Sequence, residues 1–177
     1  MPWEKGPPSV ADDPLSPVYE TKLQVDTYAL STAIYAERDD GKILLLQRAE
    51  GTAMAGFHFL PGGIVDPGEE PFGAAARELL EESGLRFDSE PQMVGCYPLF
   101  IYGRDFVNLT FRGRVTGELT TSDEHTGHQW VDPHEWAALF TPEAIDAMAD
   151  GNDQIALLLT GIGRDARRYL NLVTRAD

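Results

Sequence analysis

The sequence is poor in cysteine and in basic residues, and it lacks a long apolar run. Its 177 residues include a single cysteine, Cys96, so no disulfide can form within the chain. Cys96 lies between Gly95 and Tyr97 in a largely apolar stretch, which predicts a small buried thiol. No apolar run approaches the length of a membrane span. The N-terminus lacks the basic flank and apolar stretch of a signal peptide. We therefore expect a soluble cytoplasmic protein with no membrane partner.

Basic residues are outnumbered two to one. The chain has 14 lysines and arginines against 29 aspartates and glutamates, a formal charge of −15. This charge argues against a nucleic-acid partner, because its phosphates would be repelled over most of the surface. A small anionic substrate would be repelled too unless cations bridge it to the protein. The balance is compatible with a metal enzyme acting on phosphates, although an acidic surface alone usually serves solubility.

The chain has the size of one domain with additions at both ends. Residues 1–20 contain five prolines and no periodic apolar pattern, which predicts an extended arm that packs on the domain or on a partner subunit. Residues 21–177 are predicted to form the domain, including C-terminal helices over about 141–177. Such additions often serve homodimerisation, so we expect a homodimer.

The apolar pattern predicts a mixed sheet clasped between helices. Strand-like residues begin near Leu23, and two runs, 28–35 and 42–47, flank an Asp-Gly turn and predict a β-hairpin. Further strands are predicted over 57–60, 92–102, 106–115 and 127–131. A helix is predicted over 70–83, ended by Gly84. Later helices are predicted to begin after Asp132, Thr141 and Asn152, with a last amphipathic helix over 165–177.

The helix over 70–83 is predicted to bury one apolar face. Phe72, Ala76, Leu79 and Leu80 recur at i, i+4, i+7 and i+8, which places them on the same side of a helix. We expect this face to contact the core.

The same helix carries three glutamates on a face that is expected to point away from the core. Glu78, Glu81 and Glu82 lie at i, i+3 and i+4. Like charges so close cost a few tenths of a kcal/mol per pair. A divalent cation would offset this cost, since Mg²⁺ prefers oxygen ligands such as carboxylates. Taken alone, the pattern is far more typical of a solvated acidic face, in which Arg77 simply pairs with Glu81.

Glycines precede the helix. Pro61, Gly62 and Gly63 follow a predicted strand, and a turn over 66–68 leads to Glu69. Glycines let the backbone approach a ligand closely and let a carbonyl or amide point at it. An ordinary turn would explain them as well if the loop stood alone.

Together, the loop and the helix form the pattern Gly63-x5-Glu69-x7-Arg77-Glu78-Leu79-x-Glu81-Glu82-x-Gly84-Leu85. This pattern resembles the Nudix box at every defined position, and the similarity extends over about residues 23–139. The resemblance implies an α/β/α sandwich with a mixed sheet. It also implies a pyrophosphohydrolase that uses Mg²⁺, with Mn²⁺ as a substitute. The implied substrate is a nucleoside diphosphate linked to another group: a nucleoside triphosphate, a nucleotide sugar, an ADP-ribose-like molecule or a dinucleoside polyphosphate.

The resemblance assigns roles to the residues of the box. Glu78, Glu81 and Glu82 match the metal-binding glutamates, and the last two also belong to the implied catalytic group. Arg77 matches the arginine that orients one of these glutamates. Glu69 matches an upstream glutamate that supports the loop or lies near the metals.

Residues beside the box complete the implied metal site. Gly62 is where family members often offer a carbonyl ligand. Family members also recruit an acid from outside the box as a ligand or base, and Glu124 is our candidate, with Asp123 and His125 as substitutes. Glu82 or Glu124 would then take the proton of the attacking water.

The residues that read the substrate are expected outside the box, apart from the backbone of Gly63. Arg48, His58 and Arg104 are candidates to meet phosphates. Four aromatic residues are candidates to stack on a base, with core packing as the alternative for each: Tyr97, Phe100, Tyr102 and Phe106. Tyr102 is similar in position to a tyrosine of dinucleoside-polyphosphate hydrolases, but its spacing leaves the subfamily open.

Other functions are possible on the same domain. A non-hydrolytic Nudix domain that senses a nucleotide commonly loses box glutamates or carries a basic DNA-binding segment, whereas this sequence keeps every box glutamate. Isomerisation of an isoprenoid diphosphate would need a catalytic cysteine, for which Cys96 is the only candidate. The acidic charge disfavours RNA decapping.

Overall fold

The computed structural model describes residues 28–52, 54–101 and 103–174, so the predicted arm and the start of the first strand near Leu23 lie outside the described residues. Seven strands and four helices are described. They are β1 (Ala29–Glu37), β2 (Ile43–Arg48), β3 (His58–Phe59), α1 (Pro71–Ser83), β4 (Arg86–Phe87), β5 (Gln92–Ile101), β6 (Arg104–Thr116), β7 (His125–Val131), α2 (Pro133–Ala138), α3 (Pro142–Ala149) and α4 (Asp153–Val173).

The strands form the predicted mixed sheet. β1 and β6 run parallel over nine residue pairs, from Ala29 opposite Phe106 to Glu37 opposite Arg114. The other pairings are antiparallel, including the predicted hairpin of β1 and β2. β3 and β7 both pair with β2, and β4 and β5 both pair with β6. The class predicted from the sequence, α/β with a mixed sheet and helices, is confirmed.

Each face of the sheet carries its own core, because successive side chains of a strand point to opposite faces. On β2, Ile43 and Leu45 pack with residues of α2, α3 and α4, whereas Leu44 and Leu46 pack with α1. Burying one such leucine or isoleucine stabilises the fold by about 1.5–3 kcal/mol. Helices therefore cover both faces, as in an α/β/α sandwich.

The boundaries of α1 agree with the prediction. Pro71 occupies the first turn, where its missing N–H costs nothing. Gly84 ends the helix with a φ of 70° and donates its N–H to the carbonyl of Leu80.

The predicted apolar face of α1 is wrong in three of its four members. Phe72 and Leu80 are 41% and 38% exposed, Ala76 is exposed, and only Leu79 is buried. The face against the sheet is formed instead by Ala74, Ala75, Leu79, Glu82 and Ser83. Small alanines let the helix lie close to the sheet, but they give a weak hydrophobic signal. As a consequence, Glu82 is on the buried side of the helix and not on a solvated one.

Cys96 is exposed, so the prediction of a buried thiol is wrong. Strand alternation on β5 explains the error, because Tyr97 and Leu99 point inward and Cys96 points outward.

The C-terminal helices begin at the predicted caps. The side chains of Asp132, Thr141 and Asn152 each accept hydrogen bonds from the first turn of the helix that follows. The stretch after Asn152 and the described part of the predicted last helix form one continuous helix, α4, which ends at Val173. None of the described helices has both the length and the apolar character needed to cross a membrane.

Candidate active site

The loop before α1 lies against β1 and can do so only with glycine at position 62. Thr32 donates its N–H to the carbonyl of Gly63 (2.8 Å), and Ile34 donates to Pro61 (2.9 Å). Gly62, between them, has a φ of 151°, and a Cβ there would overlap the carbonyl of Thr32. Its N–H points the other way and donates to Glu82 Oε2 at 2.8 Å. The loop thus holds the carboxylate of Glu82.

Glu82 is an acid in a buried position. It is 7% exposed. Burial raises the pKa of its carboxyl to about 8, and the negative charges of Glu78 and Glu124 add to the shift. The Gly62 N–H and the charge of Arg48 act in the opposite direction. Three acids and one arginine therefore interact at the end of the glycine loop.

Arg77 binds three carboxylates and a carbonyl. Its Nε and Nη2 each donate to one oxygen of Glu69 at 3.0 Å. Its Nη1 donates to Glu78 at 2.8 Å and to Glu81 at 3.1 Å. Nη2 also donates to the carbonyl of Ile64 at 3.1 Å. The arginine therefore links the acidic side of α1 to the loop. Helix spacing alone suggests only one of these contacts, the pair with Glu81.

Glu69 and Gly63 fit around this arginine. Glu69 Oε2 accepts the N–H of Asp66 at 3.1 Å, which closes the turn before the helix. Gly63 lies against Glu78, and a Cβ on Gly63 would overlap the Glu78 carboxylate. Burial raises the pKa of Glu78, against the lowering effect of Arg77.

The segment before β7 is fastened to the end of α1. Thr120 and Ser122 donate their N–H groups to the carbonyls of Ser83 (2.9 Å) and Glu82 (3.2 Å), which have no partner within the helix. The next residues reach the end of β2. The Glu124 carbonyl accepts the N–H of Ala49 at 2.8 Å, and its side chain, 66% exposed, lies 3.4 Å from Arg48 Nη1.

His125 contacts Glu82 directly. Its Nε2 lies 3.6 Å from Glu82 Oε1, and its Nδ1 lies 3.2 Å from Ser122 Oγ. The residue is 7% exposed. Burial lowers the pKa of the imidazole, and Arg48 lowers it further. The sequence named His125 only as a substitute for Glu124, because no local pattern ties it to Glu82.

Two cavities lie on the α2–α4 side of the sheet. The larger, of about 320 Å³, is mostly apolar, and the smaller, of about 110 Å³, includes Asn108 and Asp165. Both are lined by Phe59 and Trp136. The indole N–H of Trp136 is buried and has no hydrogen-bond partner within the described part of the chain.

The residues that the sequence suggested for the substrate site lie in different parts of the structure. His58 lies on β3 opposite Gln47 and lines the larger cavity, and Tyr97 lines the smaller one. Phe106 is 7% exposed and packs with Tyr97 and Leu99 in the core, and Phe100 is half-buried.

Of the two remaining candidates, one is described and is not brought to the acids. Arg104 begins β6, is exposed, and makes no ion pair with any residue that the structure describes. Tyr102 lies outside the described residues.

Asp165 and Trp136 are not among the site residues that were predicted from the sequence. Helical spacing could have found Asp165, because it shares a buried face of α4 with Ile162, Ala166 and Tyr169. A buried acid on an apolar helix face is a useful signal, since a charge is rarely buried without a partner.

Within the described residues, no three acidic, histidine or cysteine side chains lie close enough together to hold a metal ion as they stand. Arg77 draws Glu78 and Glu81 to itself instead. The donors nevertheless suit a hard cation, because they are carboxylate oxygens. The raised pKa values of Glu78 and Glu82 fit the same conclusion, since the first carboxylate is half-buried and the second buried, each beside like charge.

Comparisons with known proteins agree on one family. A sequence model of the NUDIX domain matches residues 27–151, so α4 lies beyond the matched part. The MutT-like protein of Streptomyces ambofaciens is 32% identical over 126 residues, 68% of this chain and 77% of that protein. A putative 8-oxo-dGTP diphosphatase of Bacillus subtilis (strain 168) is 39% identical over 87 residues, 47% of this chain and 55% of that protein.

Solved structures give the same result. The crystal structure of the MutT protein from Methanosarcina mazei Go1 superposes with a TM-score of 0.58 at 25% identity, covering 79% of this chain and 96% of that one. The family suggested by the box is confirmed. The chain belongs to the Nudix family of pyrophosphohydrolases, whose members generally depend on a divalent metal.

Proposed function

We propose that this chain is a Mg²⁺-dependent hydrolase that cleaves the diphosphate of a nucleoside diphosphate derivative. The observation that carries the proposal is the buried carboxylate of Glu82, held by the Gly62 N–H, with the charges of Glu78, Glu124 and Arg48 near enough to influence it. Carboxylates suit a divalent cation, and an arginine suits a phosphate. The name of the Bacillus subtilis relative favours a nucleoside triphosphate among the possible substrates.

The metal would be held by residues of the box and of the segments beside it. Glu78, Glu81, Glu82 and Glu124 would supply carboxylate oxygens, and Gly62 a carbonyl. When bound, Mg²⁺ or Mn²⁺ neutralises a diphosphate and lowers the pKa of a water.

The chain's own residues supply the proton transfer and the substrate contacts. Glu82 or Glu124 would take the proton of the attacking water, and attack at phosphorus would expel a phosphate-bearing leaving group. Arg48, beside Glu124, would contact the phosphates.

The nucleoside would occupy the cavities that meet at Phe59 and Trp136. Phe59 offers a ring on which a base can stack. The unpaired Trp136 N–H offers a donor to an acceptor on the base. Phe59 is three residues before Gly62, so a base stacked on Phe59 would lie near the phosphate site at the glycine loop. A homodimer and a cytoplasmic location stay predictions.

The proposal is tested by release of phosphate or pyrophosphate from a panel of substrates. The panel contains a nucleoside triphosphate, 8-oxo-dGTP, a nucleotide sugar, ADP-ribose and a dinucleoside polyphosphate. We expect turnover of at least one of them with Mg²⁺ or Mn²⁺, and loss of that turnover in excess EDTA. No release from any member with either metal would refute the proposal.

Replacing Arg77 by lysine should lower kcat/KM by about 10- to 100-fold, the usual range for groups that orient metal ligands. An ammonium cannot bind three carboxylates and the Ile64 carbonyl in the planar arrangement of a guanidinium. We also expect a Tm lower by several degrees, on the order of 3 °C. The matched control is Arg86→Lys, an exposed residue of β4 that should change neither quantity. An Arg77→Lys enzyme with the kcat/KM of wild type would show that the multiple contacts are dispensable.

A further inference from the structure

His125 and the glycine loop face different oxygens of the Glu82 carboxylate. Gly62 donates its N–H to one oxygen of Glu82, Oε2, at 2.8 Å, and the imidazole Nε2 of His125 faces the other oxygen, Oε1, across 3.6 Å. That distance is slightly longer than a hydrogen bond and leaves no room for a water between the two atoms. The two protein groups therefore confine the carboxylate from both ends.

The imidazole is itself fixed in place. Ser122 Oγ lies 3.2 Å from its Nδ1, and the N–H of His125 donates to the Ser122 carbonyl at 3.0 Å. Ser122 in turn donates its N–H to the carbonyl of Glu82. A hydroxyl that donates to Nδ1 places the ring hydrogen on Nε2, toward Glu82. Ser122 and His125 are thus attached to the end of α1, the same helix that carries the Glu82 carboxylate.

The chemistry of the contact favours a polar role over simple filling of space. The side chain of His125 is 3% exposed, and a buried ring nitrogen without a polar neighbour is costly. Glu82 Oε1 is the acceptor that Nε2 faces. An apolar side chain of similar size would fill the same volume without such a donor.

We propose that His125, fixed by Ser122, is a positioning residue that holds the carboxylate of Glu82 in the orientation required to bind the catalytic cation. This inference rests on the proposed function and adds to it a residue outside the Nudix box. It acts through Glu82 and is not expected to touch the substrate.

The test compares three variants with wild type. His125→Leu keeps the volume and removes the donor, His125→Gln keeps an N–H donor, and Ser122→Ala removes the group that fixes the ring. Two quantities are measured: the affinity for Mn²⁺ alone by electron paramagnetic resonance, and kcat and KM with Mg²⁺. His128→Leu, an exposed residue of the same strand, is the control that should behave as wild type.

We expect His125→Leu to weaken Mn²⁺ binding and to lower kcat by about 10- to 100-fold each, with little change in KM. His125→Gln should recover most of both losses, and Ser122→Ala should lie between. If His125→Leu does not fold, the same two measurements on Ser122→Ala test the inference instead. The inference would be overturned if His125→Leu had the Mn²⁺ affinity and kcat of wild type, or if His125→Gln were as impaired as His125→Leu. A wild-type enzyme that hydrolyses no nucleotide would instead refute the proposed function, so the two failures are distinguishable.

Discussion

Replacing Glu82 by glutamine is expected to lower kcat by about 10³-fold or more while the fold survives. Glutamine has nearly the same shape and can still accept the N–H of Gly62 at Oε1, so the loop stays in place. It carries no negative charge for a cation and cannot accept the proton of a water. Single-turnover and steady-state rates with Mg²⁺, together with circular dichroism, would measure the two parts of this expectation.

The same variant should be more stable than wild type when no metal is bound. Burial raises the pKa of Glu82 from 4.5 to about 8 in the folded protein. The protonated acid therefore favours folding, and its contribution is fully present below pH 4.5 and is lost as the pH rises to about 8. Metal-free Glu82→Gln should match wild type near pH 4.5 and exceed its Tm by on the order of 10 °C above pH 8. Thermal denaturation in EDTA across this range would measure the difference.

Variants of two other glutamates test whether the loss of kcat is specific to Glu82. Glu90→Gln, at an exposed position outside the site, should retain wild-type kcat. Glu124→Gln should lower kcat without changing the affinity for Mn²⁺ if Glu124 is the base, and should lower both if it is a ligand. A Glu82→Gln enzyme with wild-type kcat would exclude Glu82 from the reaction, whatever its effect on stability.

The sequence located the elements of the site because each of them lies in one continuous stretch. The helix, its end at Gly84 and the loop glycines are set by local chemistry, since each depends on backbone geometry within a few residues. Glu82 shows the limit of such reasoning. Its neighbours in the chain place it on an acidic face, but the sheet that buries it comes from distant strands.

Contacts between distant segments account for what was missed. His125 reaches Glu82 only because two backbone hydrogen bonds join the segment before β7 to the end of α1. The cavity beside Trp136 forms where β3 and three later helices meet. The error at Cys96 has a different origin, because an apolar strand with one exposed side gives no local sign of which side each residue takes.

Gly62→Ala should destabilise the protein by about 3 kcal/mol or more, the upper range for a single substitution. At a φ of 151° an L-residue is strained, and the new Cβ would overlap the carbonyl of Thr32 on β1. The loop cannot move away without losing the hydrogen bonds from Thr32 to Gly63 and from Ile34 to Pro61. Urea denaturation of the metal-free protein would measure the free energy of unfolding.

The control is Gly68→Ala in the same loop. Gly68 also has a positive φ, of 84°, but open space surrounds the position where its Cβ would be, so only the backbone strain of about 1–2 kcal/mol is expected. The difference between the two variants isolates the contact with β1. Because the Gly62 N–H holds Glu82, Gly62→Ala should also lower kcat in the molecules that remain folded, whereas Gly68→Ala should not. Equal losses of stability in both variants would show that the close approach to Thr32 is not what requires glycine at position 62.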